Sequence, residues 1–246
     1  MKPLEYKYNI RFDFTRNPES AAAVAERFLK TLDSLSRIDA LFTDWRVTDS
    51  RGRASRPLAE VRPQVPAIVA RNVVRDDQGP SPEDGYHASA RIGKLDDSKS
   101  ARFAVRAGGK SENYANLEFG SYKVTPDPAI VTYPRYRTAL LAINAAWVVT
   151  WACAYAFKMN YYESPLVPGV PLFPYTRFHI PWIAYLSAPL ASGLQLPADI
   201  RSERTPDGGL MMITTEERLE PTNPEHLRHA RIAAETMVAH AGDPSR

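Results

Sequence analysis

Leu4-Glu5-Tyr6-Lys7-Tyr8-Asn9-Ile10-Arg11-Phe12-Asp13-Phe14, followed closely by Asn17-Pro18-Glu19, decides the fold. Tyr6, Tyr8, Ile10, Phe12 and Phe14 share one parity, and Glu5, Lys7, Asn9, Arg11 and Asp13 share the other. A period of two in hydropathy is the mark of a strand with one face buried. Asn17 suits an N-cap, Pro18 the first helical position, and Glu19 complements the helix dipole. Val24, Phe28, Leu32 and Leu35 then recur at helical spacing. A strand and a helix with matching apolar faces bury each other in two layers, which predicts an α+β fold.

The same reading extends along the chain. Leu58 to Val74 predicts a second helix interrupted by Pro63 and Pro66. Residues 76–85, Asp-Asp-Gln-Gly-Pro-Ser-Pro-Glu-Asp-Gly, predict an exposed, mobile acidic loop. Residues 86–95, 101–107 and 112–124 predict a three-stranded meander with turns at 96–100 and 108–111. Thr138 to Phe157 carries no charge and is long enough to cross a bilayer. Its many alanines, with Asn144, Thr150 and Tyr155, favour a central buried helix over a membrane span. On such a helix Trp147 and Trp151 lie one turn apart and stack on the sheet. A Pro-rich connection spans about 164–175, and 178–187 and 209–215 read as strands. Asn223-Pro224-Glu225 opens a last helix towards His240. The expectation is one α+β domain over 1–246, with a mainly antiparallel sheet and one central apolar helix.

With 246 residues, 44% hydrophobic and 24% charged, the chain can bury a full core, which excludes disorder as a description of the whole. A net charge of +3 falls short of a nucleic-acid footprint, although Arg46, Arg51, Arg53, Arg56, Arg62, Arg71 and Arg75 cluster. Cys153 is the only cysteine, so no internal disulfide forms. With no apolar leader-like run at the N-terminus, the expected compartment is the cytoplasm.

Catalytic signatures are weak. Ala104-Val105-Arg106-Ala107-Gly108-Gly109-Lys110-Ser111 fits a relaxed phosphate-loop pattern, which leaves a small hydrolase or nucleotide-binding protein using Lys110 as an alternative. A phosphate loop must lead into a helix, whereas the alternating Glu112 to Phe119 reads as a strand, so a Gly-Gly hairpin explains the same letters. His226 and His229 lack the i, i+4 spacing of zinc hydrolases and read as a solvated helix start. Cys153 has no base near it in sequence, and Glu118 and Lys123 fall on opposite faces of one strand. No catalytic residue, cofactor site or metal site is assigned.

Three groups of residues carry a family likeness. They are the opening strand and the Asn17-Pro18-Glu19 helix ending in Phe28-Leu29-x-x-Leu32, with Leu41-Phe42-x-x-Trp45; then Trp182-x-x-Tyr185-Leu186; then Thr214 through Asn223-Pro224-Glu225-His226-Leu227-Arg228-x-Ala230. In their order and spacing the chain resembles the immunity protein 52 family of bacterial polymorphic toxin systems. The resemblance implies a cytoplasmic, non-enzymatic antidote. Its partner would be a nuclease toxin of the restriction-endonuclease-like class 5 type, delivered by a type VI secretion apparatus. A nuclease groove is basic, so the expected contacts are exposed carboxylates: Asp76, Asp77, Glu83, Asp84, Asp96 and Asp97.

Overall fold

The computed structural model describes residues 6–49, 55–94, 97–120, 124–157 and 180–241. The Pro-rich connection at 164–175 and Asp96 lie outside the described residues. Strand β1 is Lys7–Phe14 and helix α1 is Ala21–Ile38. A 3-10 turn, Ala40–Phe42, leads to β2, Arg46–Thr48, and β3 is Ser55–Pro57. Helices α2 (Leu58–Val61) and α3 (Val65–Arg71) flank Pro63 and precede the two-residue strands β4 (Arg75–Asp76) and β5 (Gly79–Pro80). The meander follows as β6 (Tyr86–Ile92), β7 (Ala101–Ala107) and β8 (Tyr114–Phe119). Then come α4 (Tyr133–Asn144), β9 (Val149–Phe157), β10 (Ile180–Leu186), α5 (Ala188–Ala191), β11 (Arg201–Arg204), β12 (Leu210–Ile213) and α6 (Pro224–Ala241).

The main sheet has ten strands in the order β11-β12-β10-β9-β1-β8-β7-β6-β2-β3, antiparallel throughout. The α+β expectation holds, and the first strand sits at the centre. Tyr8, Ile10 and Phe12 lie directly opposite Ala156, Ala154 and Ala152 of β9. Large side chains on one strand thus fill the space that alanines leave on its neighbour. This face packs against α1, α3 and α4, with Phe28, Leu32, Leu35, Tyr136 and Leu140 fully buried. On the other face Trp151 and Cys153 join Leu186, Met212 and Met237 in a second, smaller core.

Two expectations need correction. The uncharged stretch 138–157 is not one helix: α4 ends at Asn144 and β9 begins at Val149. Val148-Val149-Thr150 is a β-branched run, costly in a helix and favoured in a strand. Beyond it Trp151-Ala152-Cys153-Ala154-Tyr155-Ala156-Phe157 alternates in size rather than polarity, because a strand covered on both faces needs no polar side. The two tryptophans consequently part. Trp147 stacks on Phe14 at 4.8 Å and donates from Nε1 to Thr31 Oγ1 at 2.8 Å, while Trp151 points into the smaller core. Among the described residues no helix is long and apolar enough to cross a membrane.

The second correction concerns the first helix start. Ser20, not Asn17, caps α1, accepting from the Ala23 N–H at 3.2 Å. The Glu19 N–H donates instead to Gly108 O, so residues 17–19 form a lead-in tied to the β7–β8 turn. The equivalent triplet at α6 behaves as read: Asn223 Oδ1 accepts from the Glu225 N–H at 2.9 Å.

The C-terminal third is joined to the core through Trp182, which is fully buried. Its ring meets Tyr8 edge-on at 6.1 Å and Tyr136 at 4.9 Å, and its Nε1 donates to Thr215 O at 2.9 Å. Replacing it with alanine should cost about 3–5 kcal/mol in urea denaturation, and Tyr136→Phe about 1 kcal/mol through the lost bond to Tyr8 O. A second check is pH-dependent. Asp207 is drawn in two directions: burial would raise its carboxyl, but bonds from Thr205, from Tyr185 Oη at 2.6 Å and from the Gly209 N–H outweigh it and hold it below the usual range. A depressed carboxylate stabilises the fold above its unfolded pKa of about 3.9 and loses that contribution as pH falls through the folded value. Asp207→Ala should therefore flatten the acid limb of the stability profile and lower neutral-pH stability by about 1 kcal/mol, since buried Tyr185 loses its acceptor.

Candidate functional site

Four of the expected carboxylates do gather, on a small built hairpin. Strands β4 and β5 pair Arg75 with Pro80 and Asp76 with Gly79. Asp76 Oδ1 closes the turn by accepting from the Gln78 and Gly79 N–H groups at 2.7 and 3.0 Å. A 3-10 turn, Pro82–Asp84, then returns the chain to β6. Asp84 accepts from Ser81 Oγ at 2.7 Å and Ser111 Oγ at 2.9 Å; these two bonds hold its carboxyl below the usual carboxylate range. The Lys110 N–H donates to Glu83 O at 2.8 Å, and the Lys110 ammonium pairs with the Glu83 carboxylate.

The hairpin is therefore clamped to the β7–β8 turn. Gly109 makes the close approach possible: a Cβ there would lie 2.4 Å from Asp84 O. Gly108 has φ of 80°, a left-handed conformation that favours glycine. Buried Asn113 stitches the turn from within, accepting from the Gly109 N–H and donating to Gly109 O and Thr15 O. This geometry answers the phosphate-loop alternative. Ala104–Ser111 is a strand and a hairpin turn followed by strand β8, not by a helix, and Lys110 is engaged with Glu83. Sequence reading found the Gly-Gly turn but not its role as a seat for the acidic segment.

Asp97 does not join this group. It follows β6 at its far end, roughly 20 Å away along seven strand residues, and its Oδ1 accepts from the Lys99 N–H. Within the hairpin the four acids differ. Asp84 and Glu83 are anchors and Asp76 holds the turn, whereas Asp77 is exposed and makes no side-chain bond among the described residues.

Residues considered for chemistry take structural parts. Burial pushes the Cys153 thiol up to about 12, so it is not a nucleophile at neutral pH. His226 is not solvated, as its place in the sequence predicts, but buried. Its Nδ1 accepts from the Glu220 N–H at 3.0 Å and so fixes the lead-in to α6. Among the described residues no group of three or more His, Cys, Asp or Glu is placed to hold a metal ion.

Of the residues behind the family likeness, Phe28, Leu32, Phe42, Trp45, Trp182, Tyr185 and Leu186 are buried in the core, whereas Glu216, Glu217, Glu225 and Arg228 of the third group are exposed. No curated protein sequence matches the chain. Among solved structures, the Pseudomonas aeruginosa T6SS protein PA0821 is similar in fold, with a TM-score of 0.52 at 15% identity over 94% of this chain and 76% of that one. The family model described as Immunity protein 52 matches residues 7–242. With nearly its whole length accounted for in this way, the chain belongs to the immunity protein 52 family.

Proposed function

We propose that the protein is the cytoplasmic antidote to a nuclease toxin, acting by stoichiometric binding and without catalysis. The observation that carries this reading is the family match across residues 7–242, and membership of an immunity family implies a cognate toxin as partner. The nuclease nature of that toxin comes from the family resemblance. The fold likeness to a T6SS protein agrees with a toxin delivered between bacteria. The acidic hairpin supports an electrostatic element to the blockade. It holds Asp76 and Asp77 exposed on a clamped base, where little ordering entropy is lost on binding. Carboxylates so held complement the basic groove in which a nuclease takes its substrate, and they steer the encounter.

Co-expression with the toxin encoded beside it should rescue host growth, and the purified pair should elute as one complex from a sizing column. Failure to form that complex would remove the reading. The hairpin is tested with Asp76→Asn/Asp77→Lys, which keeps the turn-closing oxygen of residue 76 while removing or reversing charge. Association should slow by about tenfold at low salt, with the difference shrinking as salt rises. An unchanged on-rate would leave the hairpin out of the interface.

A further inference from the structure

Among the described residues, half of the main sheet carries a partly exposed polar face. Along β1, β8, β7, β6 and β2 the residues opposite the core-facing set form three cross-strand rows. They run Asn9-Glu118-Arg102-Arg91-Arg46, Arg11-Asn116-Ala104-Ser89 and Asp13-Tyr114-Arg106-His87. All of them are at least partly exposed. The rows hold five arginines against two carboxylates, on a chain whose net charge is only +3.

The first row is the unusual one. Arg102, Arg91 and Arg46 are direct cross-strand neighbours. Like charges facing each other across strands destabilise a sheet. Arg102 finds Glu118 at 3.4 Å on its outer side. Arg46 and Arg91 reach no carboxylate among the described residues. Both lean on Ser55: Arg46 donates to Ser55 O at 2.7 Å and Arg91 to Ser55 Oγ at 3.0 Å. Arg91 Nε is buried and has no acceptor among the described residues. The row also runs between two clefts. One, of about 760 Å³, is lined by Arg46, Arg91, Lys94 and Trp45, by Asp44, and by Arg62 with its partner Asp33. The other, of about 590 Å³, lies between the hairpin residues Arg75 and Pro80 and the sheet and is lined also by Arg71, His87 and Arg102, with one carboxylate, Asp49.

We propose that the row Arg46–Arg91–Arg102, with the clefts beside it, is the docking surface for an acidic patch on the toxin. The inference rests on the antidote reading above and names the chemistry of its interface. An arginine row that costs the isolated fold stability is relieved when a partner brings carboxylates, because planar guanidinium groups bind them in bidentate fashion. A protein partner fits better than a nucleic acid. Glu118 and Asp13 sit among the arginines and Asp33, Asp44 and Asp49 line the two clefts, so a continuous phosphate backbone would meet like charge. A protein surface can instead alternate in sign, with its acids over the row and its bases against the hairpin.

The test uses Arg91→Gln/Arg102→Gln in the full chain against the catalytically inactivated toxin domain. Binding should weaken by about 10- to 100-fold, while the urea midpoint of the free protein stays level or rises because the like-charge contact is gone. A fall in midpoint together with weaker binding would mean that the arginines only hold the fold, and would overturn the proposal. So would a variant that binds the toxin as tightly as wild type while wild type itself binds, an outcome that leaves the antidote reading intact. Wild type failing to bind would end that reading first, and this one with it. A duplex oligonucleotide serves as the other probe. Tight DNA binding that the double variant abolishes, with toxin binding untouched, would assign the row to nucleic acid and sink the docking surface.

Discussion

The contact between Tyr8, Tyr136 and Trp182 holds the architecture together. It joins the first strand, a mid-chain helix and a late strand, in a molecule whose sheet places its first strand at the centre. Tyr136 Oη donates to Tyr8 O at 3.0 Å, and Tyr8 Oη donates to Leu219 O at 2.7 Å, so each buried hydroxyl has its acceptor. From this hub the rings continue through Phe119 and Phe42 to Trp45, with centroids 4.4 to 6.1 Å apart. One aromatic seam thus runs from the C-terminal strands to the edge where the arginine row begins. Because β9 and β10 complete the centre of the sheet only after most of the chain is present, its closure waits on long-range pairing, the slow kind of folding event.

Much of this was legible in the sequence, and what was not has physical reasons. The parity of Tyr8, Ile10 and Phe12 marks β1 because one of its faces is polar, and the meander is marked by turn residues. The change from helix to strand inside 138–157 was hidden because both faces of β9 are buried, so polarity carries no period there. Size does: alanines 152, 154 and 156 sit where Phe12, Ile10 and Tyr8 need room. The two Asn-Pro-Glu triplets are identical as letters yet only the second caps its helix, since the first is held by a tertiary bond from the Glu19 N–H to Gly108 O. Local propensity lost there to a partner some ninety residues distant.

The candidate site was less legible, and the family likeness shows why. Trp182 donates to Thr215 O, Tyr185 to Asp207 and Tyr8 to Leu219 O, while His226 accepts from Glu220; the signals that identify the family fix the scaffold. An interface shared by a whole family of antidotes would fit one toxin surface, whereas each antidote must fit its own partner, so the recognisable letters need not mark the interface. The hairpin acids could be listed from composition. That Asp84 and Glu83 are anchors while Asp77 is exposed required Ser111 and Lys110 to arrive from another turn. The arginine row was the least visible, because Arg46, Arg91 and Arg102 become neighbours only through the register of three strands.

Charge placement then connects stability with recognition. Opposite charges side by side would have stabilised the β2–β6–β7 corner at little cost, as Arg102 and Glu118 do one strand further on. Three arginines abreast do the reverse, with Ser55 as a neutral acceptor between two of them. A cleft separates this row from the hairpin, and both are fixed by backbone register and hydrogen bonds. A rigid surface with two signs in set places does more than attract. On the docking surface we propose, a partner turned end for end would set like charge against like, which costs several kcal/mol, so such a surface would select orientation as well as identity.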